Sequence, residues 1–243
     1  KISELESREE LRRTAQEAEK ANLAKTDFLR RMSHDVRTPI NGIQGCVDIA
    51  DRYPDDMKLQ QEARTRIRTA SSYLLNLVND VLDMNKLESG NIQLERKHFN
   101  LLELLHNTNE ITRMQANESG VNYYVEDGEI IHTQLIGSPV HFQQILMNIG
   151  SNAVKYNHNG GSVTVTCREV SYTDTTAEYE LTCTDTGIGM SEEFQKRAFE
   201  PFAQEGQSAR TKYAGTGLGL AIARKLTELQ GGTLFFESIQ GKG

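Results

Sequence analysis

The sequence predicts an α+β chain: a long helical hairpin followed by a layered lobe of short strands and helices. Three observations carry this. Phe28, Met32, Val36, Ile40, Ile43, Val47 and Ala50 recur at steps of three and four, and Leu59, Ala63, Ile67, Ala70, Leu74, Leu77, Val81 and Met84 repeat the pattern. Tyr53-Pro54-Asp55-Asp56 separates the two stripes as a turn. Beyond Ser89-Gly90-Asn91 the long period gives way to short strand-like and helical pieces.

Residues 1–24 are rich in Glu, Arg, Lys, Ala, Leu and Gln, which favour helix. Ile2, Leu5, Leu11, Ala15 and Ala18 make a thin seam, and the step from Leu5 to Leu11 breaks a heptad. This segment reads as a helical linker, with a coiled coil as the alternative. Residues 25–89 are the hairpin. One hairpin has a single apolar face and little to bury it against, so pairing with a second copy into a four-helix bundle is expected.

Residues 90–243 form the second domain. Strands are expected at Ile92–Glu95, Val121–Glu126, Glu129–Ile136, Val163–Val170, Glu178–Thr184 and Thr233–Glu237. Helices are expected at Leu101–Gln115, at Val140–Tyr156 behind Ser138-Pro139, at Ser191–Phe199 with Ser191 as cap, and at Leu218–Leu229. The order implies helices on one face of a mixed sheet.

Composition narrows the function classes. The 243 residues are 37% hydrophobic and 25% charged, with a net charge of −7. A nucleic-acid binder needs a positive surface, so DNA and RNA are poor partners. No run approaches the roughly 18 apolar residues of a membrane span, and the polar N-terminus does not resemble a signal peptide. A cytoplasmic setting is expected, with any membrane anchor outside this segment. The chain begins at Lys1 rather than Met, so it reads as a piece of a longer protein. Cys46, Cys167 and Cys183 are widely spaced, odd in number and without metal spacing, which suits reduced thiols.

Four constellations carry chemistry. In Ser33-His34-Asp35-Val36-Arg37-Thr38-Pro39, His34 lies roughly 175° around the helix from the apolar stripe and so faces water. A solvent-facing imidazole beside a carboxylate suits a nucleophile with a base, and Thr38 sits one turn on. Pro39 removes an amide and should loosen the helix there. On the second constellation, Asn148, Asn152 and Lys155 form a polar band beside a core stripe. Amide oxygens suit a hard cation such as Mg²⁺, and the lysine suits phosphate. Asp185-Thr186-Gly187-Ile188-Gly189 follows a strand whose alternation turns Asp185 inward, where the carboxylate needs a donor such as the adenine amine. Gly215-Thr216-Gly217-Leu218-Gly219-Leu220 opens a helix with free amides suited to phosphate. It is neither a dinucleotide fingerprint nor a P-loop.

Their joint order resembles the sensor histidine kinases. Ser33–Pro39 matches the H box, Asn148–Tyr156 the N box, Asp185–Gly189 and Gly215–Leu220 two glycine boxes, and Phe199-Glu200-Pro201-Phe202 the F box. The resemblance runs from about Ala24 to the end. It implies a dimerisation and phosphoacceptor hairpin followed by an ATP-binding α/β sandwich of the gyrase and Hsp90 superfamily. It implies that ATP phosphorylates His34 with Asp35 as base, and that the group passes to an aspartate of a response-regulator receiver domain. Thr38 would position water for dephosphorylating that partner. Asn152, supported by Asn148, would coordinate Mg²⁺. Lys155 would contact phosphate, Tyr156 would lie on adenine, and Asp185 would bind its amine, with Gly187 and Gly189 shaping that loop. Gly215, Thr216, Gly217, Leu218 and Gly219 would hold phosphates. Phe199 and Phe202 would hinge a lid over residues 203–214, from which Arg210 or Lys212 could reach phosphate.

Two features depart from the family. Asp35 stands where glutamate is commoner, a shorter reach. Gly241-Lys242-Gly243 falls within what resembles a third glycine box, without the strand that follows it in the family. A scaffold with a decayed nucleotide site is the rival reading, and intact Asn152, Asp185 and glycines weigh against it. A gyrase-like or chaperone-like ATPase is another, and the Ser33–Pro39 hairpin weighs against that.

Overall fold

The computed structural model describes Arg12, Arg30 and residues 32–126, 128–205 and 216–243. Apart from Arg12, the expected linker of residues 1–24 lies outside the described residues, as does Phe28 at the start of the hairpin. The chain divides into two compact units, one ending at Asn79 and the other running from Asp80 to Gly243.

The first unit is the hairpin. Helix α1 covers residues 32–52, and helix α2 spans Met57–Glu88. The 32 residues of α2 give about 48 Å of helix, of which the turns from Asp80 onward belong to the second unit. The inward side of α2 follows the expected stripe: Ala63 and Leu77 are buried, and Leu59, Ile67, Ala70 and Leu74 are half-buried. On α1 Met32, Val36, Ile43 and Ala50 of the expected stripe are half-buried, and the seam departs from it at two positions. Pro39 and Cys46 are buried, while Ile40 and Val47 remain 38% and 43% exposed. A single partner helix covers only a narrow seam, so the flanking apolar positions stay outside it. Met57 and Leu75 are likewise uncovered. The turn is tied at both ends. The Asp56 carboxylate accepts the amides of Lys58 and Leu59, each at 3.0 Å. Gln60 Nε2 donates to the carbonyls of Ala50 (2.6 Å) and Tyr53 (3.1 Å), satisfying the open end of α1. Helix α1 continues through Pro39 without interruption.

In the second unit, strand β1 (Lys97–Asn100) pairs antiparallel with β3 (Gln134–Gly137). Strand β2 (Asn122–Glu126) runs parallel to β4 (Ser162–Tyr172), which is antiparallel to β5 (Ala177–Asp185). The strands thus make two sheets among the described residues, an antiparallel pair β1-β3 and a mixed sheet in the order β2-β4-β5. Helix α3 (Leu101–Glu118) begins where the Asn100 side chain accepts the Glu103 amide at 3.2 Å. Helix α4 (Pro139–Lys155) opens on a proline, whose missing donor costs nothing there. Ala116 of α3 and Ala153 and Val154 of α4 pack on Val163 and Val165 of β4. Helix α5 is the short segment Glu192–Gln195, capped by Ser191. Helix α6 (Gly219–Leu229) sets Ile222, Ala223 and Leu226 against Ile145 of α4 and Leu87 of α2.

Several expected boundaries move. Ile92–Glu95 is not a strand: the ladder starts at Lys97 because its partner ends at Gly137, and the Glu95 amide bonds the Ser138 hydroxyl at 3.2 Å instead. Of the strand expected at Glu129–Ile136 only the end pairs, and the ladder there covers Gln134–Gly137. Upstream, the amides of Ile131 and His132 go to the Glu169 carboxylate. Thr233–Glu237 joins no ladder among the described residues, although Leu234, Phe236 and Ser238 still alternate inward. The helix expected at Ser191–Phe199 stops at Gln195 and continues as turns.

Candidate active site

The hairpin presents His34 to water, with 80% of its side chain exposed. Its Nδ1 lies 3.1 Å from Asp35 Oδ1, so the neighbouring carboxylate fixes one ring nitrogen and leaves Nε2 facing solvent. The Thr38 hydroxyl donates to the His34 carbonyl at 3.1 Å, which holds Thr38 on the same side one turn on.

In the lobe, α4, the loop after β5 and the start of α6 converge. Asp185 ends β5 half-buried, and its Oδ1 accepts the Gly187 amide at 2.8 Å. Burial pushes this carboxyl above its ordinary range, and the Gly187 amide partly offsets that. Gly187 leaves no space for a side chain: a Cβ there would collide with the Tyr156 carbonyl and the Asp185 carboxylate. The Ile188 amide donates to the same Tyr156 carbonyl at 3.0 Å, stitching the loop to the end of α4. Gly189 adopts φ +60°, with the Ile239 carbonyl where a Cβ would stand.

Lys155 Nζ sits 4.5 Å over the Tyr156 ring and donates to its hydroxyl at 3.0 Å. One helical turn before Asn152, Asn148 meets the N-terminus of α6. A Cβ on Gly219 would lie 3.3 Å from Asn148 Oδ1, and Asn148 Nδ2 is buried without a hydrogen-bond partner. An orphaned amide beside a helix N-terminus is costly unless something polar arrives. Phosphate oxygens would satisfy the donor, and an amide oxygen suits Mg²⁺, so the residues present fit a metal-bound triphosphate. No group of three or more His, Cys, Asp or Glu side chains suited to a metal occurs among the described residues.

Gly217 has φ +70°, and a Cβ there would strike the backbone of Phe202 and Ala203. Phe202 is itself left-handed at φ +64°, strained backbone for a bulky residue, and its amide donates to the Gly217 carbonyl at 2.9 Å. Phe199 stacks at 5.2 Å from Phe236 and under the Arg224 guanidinium. Leu218, expected at the phosphates, has its side chain wholly buried beside Ile222 and Leu226, and its amide is taken by the Thr216 hydroxyl at 3.2 Å. It anchors the loop. Arg210, Lys212 and Gly215, and most of the expected lid, lie outside the described residues.

The lobe thus brings together Asn148 with Gly219, and Tyr156 with Asp185, Gly187 and Ile188. The His34 group belongs to the other unit. Sequence reasoning missed Asp80, which accepts the Thr216 hydroxyl at 2.8 Å. Its only signal is a carboxylate on the flank of the stripe of Leu77, Val81 and Met84.

Residues 24–90 match the His Kinase A (phospho-acceptor) domain, and residues 137–243 match the histidine kinase-, DNA gyrase B-, and HSP90-like ATPase family. The chain belongs to the histidine kinase family. It is 34% identical over 231 residues to the sensory/regulatory protein RpfC of Xanthomonas campestris, spanning 95% of this chain and 32% of that protein. To the signal transduction histidine-protein kinase BarA of Escherichia coli it is 32% identical over 226 residues, 93% of this chain and 24% of BarA. The chain therefore spans about a third or less of these relatives. Full-length ShkA, solved in complex with AMPPNP, superposes with a TM-score of 0.61 at 28% identity, over 88% of this chain and 43% of ShkA. The helical hairpin followed by an α/β ATP-binding domain is the architecture of this family.

Proposed function

We propose that this core uses Mg·ATP to phosphorylate its own His34 and hands the phosphoryl group to an aspartate of a response-regulator receiver domain. The observation that carries the reading is the pairing of an 80%-exposed imidazole, oriented by Asp35, with a lobe whose Asn148 amide is buried and unpartnered beside the α6 N-terminus.

With Nδ1–H donated to Asp35, the lone pair on Nε2 attacks the γ-phosphorus in line. The Nε2–P bond forms, the bond to the β,γ-bridging oxygen breaks, ADP leaves, and the Nδ1 proton shifts toward Asp35. Asp185 takes the adenine amine and Tyr156 supports the ring. Lys155 and the amides of Gly217 and Gly219 face the phosphates. Asn152, with Asn148 beside it, holds Mg²⁺, which when bound neutralises charge on the phosphates. Most of the rate comes from positioning and charge stabilisation.

The hairpin works as a homodimer in this reading. Ile40, Val47 and Leu75 remain exposed on helices that have only one partner each, and a second hairpin would cover them. Residues 25–89 form that dimerisation and phosphoacceptor domain, and residues 90–243 the catalytic domain. Thr38 serves the reverse reaction, removal of phosphate from the partner. No helix among the described residues is long and apolar enough to cross a membrane.

Incubation with γ-labelled ATP and Mg²⁺ tests the reading. Label that is acid-labile and alkali-stable marks phosphohistidine, and its absence from protein that binds ATP would refute autophosphorylation.

A further inference from the structure

The last turns of α2 reach into the nucleotide lobe through a specific polar contact. Asp80 Oδ2 accepts the Thr216 hydroxyl at 2.8 Å, and the same hydroxyl oxygen accepts the Leu218 amide at 3.2 Å. Thr216 is therefore held at both faces, by α2 below and by the loop it belongs to. The next residues are Gly217, at φ +70° and wedged against Phe202, and Leu218, which is locked in the core. Three residues on from Asp80, the Asp83 carboxylate accepts Gln144 Nε2 of α4 at 2.7 Å. Two carboxylates one turn apart on α2 thus tie down α4 and the loop that leads into α6, which meet at Asn148.

A solvated surface carboxylate would explain none of this. Asp80 is half-buried, and burial raises its carboxyl above the usual range, so its place there is costly unless the contact is used. A hydrophobic residue would suit the stripe of Leu77, Val81 and Met84 better.

We propose that Asp80 is a positioning residue for the phosphate loop: it orients Thr216 and so presets the Gly217 and Gly219 amides, which couples nucleotide affinity to the state of the α2 C-terminal turns. The proposal rests on the nucleotide-site reading above and extends it to a residue outside that site. Coupling free energy is reciprocal, so nucleotide binding must also steady the α2 turns that carry Asp80.

The test uses the full chain and the ATP analogue AMPPNP with Mg²⁺. Asp80→Ala should weaken analogue binding about tenfold. Asp80→Asn keeps an acceptor oxygen and should recover most of it. Thr216→Val, which also frees the Leu218 amide, should weaken binding at least as much as Asp80→Ala, and the double variant should be no weaker than Thr216→Val, since Asp80 then has no hydroxyl to orient. In the parent chain, AMPPNP should slow amide exchange over residues 80–88, and in Asp80→Ala that protection should disappear. Additive losses in the cycle, or undiminished protection in Asp80→Ala, would overturn the proposal. So would analogue affinity unchanged in folded Asp80→Ala, or, where that variant does not fold, in Thr216→Val. Failure of the parent chain to bind AMPPNP at all would instead reject the nucleotide site, and this inference with it.

Discussion

The side chain of His34 is 80% exposed and touches little beyond Asp35, whereas the Asp185 loop is packed so closely that Gly187 has no space for a methyl group. Under the proposed function the two regions answer different chemical demands. A nucleophile that must meet ATP and later a second protein has to stand clear of its own scaffold. A purine pocket gains affinity from being formed before the ligand arrives, because ordering costs are then already met in folding. The contrast predicts that substitutions at His34 will be silent in stability and total in chemistry. Substitutions in the loop should lower stability and affinity together.

The largest effect should come from His34→Gln. Phosphate incorporation falls to background, while Mg·ATP affinity and thermal midpoint stay at parent values, because an exposed side chain contributes little to the fold. Label persisting on this variant would move the phosphoacceptor elsewhere and dissolve the contrast. Asn152→Asp ranks next. It adds a negative charge where the triphosphate is expected and alters the metal's ligand, so Mg·ATP affinity should drop roughly 30-fold, about 2 kcal/mol. Calorimetric titration showing the parent affinity would remove Asn152 from the site. Gly187→Ala should act on both properties at once. The new methyl meets the Tyr156 carbonyl and the Asp185 carboxylate, so unfolding should become easier by about 1–3 kcal/mol, read from the denaturant midpoint, with weaker ATP binding alongside. Intact stability would mean the loop is softer than its packing implies.

How much of this was legible beforehand follows the same division. The α2 stripe, the Ser191 cap and the alternation that turns Asp185 inward are local, and local period and capping chemistry expose them. Asn148, Asn152 and Lys155 read as one band because they share a helix flank, and of the three Asn148 meets the start of α6. What stayed hidden depends on residues far apart in the chain. Asp80 and Thr216 are separated by 136 positions, so their hydrogen bond leaves no local pattern, only an oddly placed carboxylate. The seam of α1 moved from Ile40 and Val47 to Pro39 and Cys46 because it is set by where the partner helix lies, which no single helix records. Left-handed Phe202 was illegible for a related reason: its strain is held by Gly217 from across the loop.

The smallest effect concerns a place where neither nucleotide nor nucleophile is involved. Glu169 carries a side chain only 2% exposed; its Oε2 accepts the amides of Ile131 (2.9 Å) and His132 (2.8 Å), and its Oε1 lies 2.7 Å from His132 Nδ1. The His132 amide above all, then the imidazole, holds this carboxyl below its ordinary value near 4.5. The sign follows from linkage. A depressed carboxyl binds fewer protons folded than unfolded, so its contribution is complete above pH 4.5 or so and fades as pH falls through the lower, folded value. Glu169→Gln keeps the size but not the charge. It should lower the denaturant midpoint at pH 7 by a modest amount, and the gap to the parent should close as the buffer is taken from pH 5 toward pH 3. ATP affinity should not move, since this clamp sits on the 129–133 segment rather than on α4 or the glycine loops. Parallel pH profiles for parent and variant would show that the carboxylate's charge is not what holds that segment. Altered ATP affinity would show that the rigid pocket extends further along the sheet than Asp185 and its neighbours.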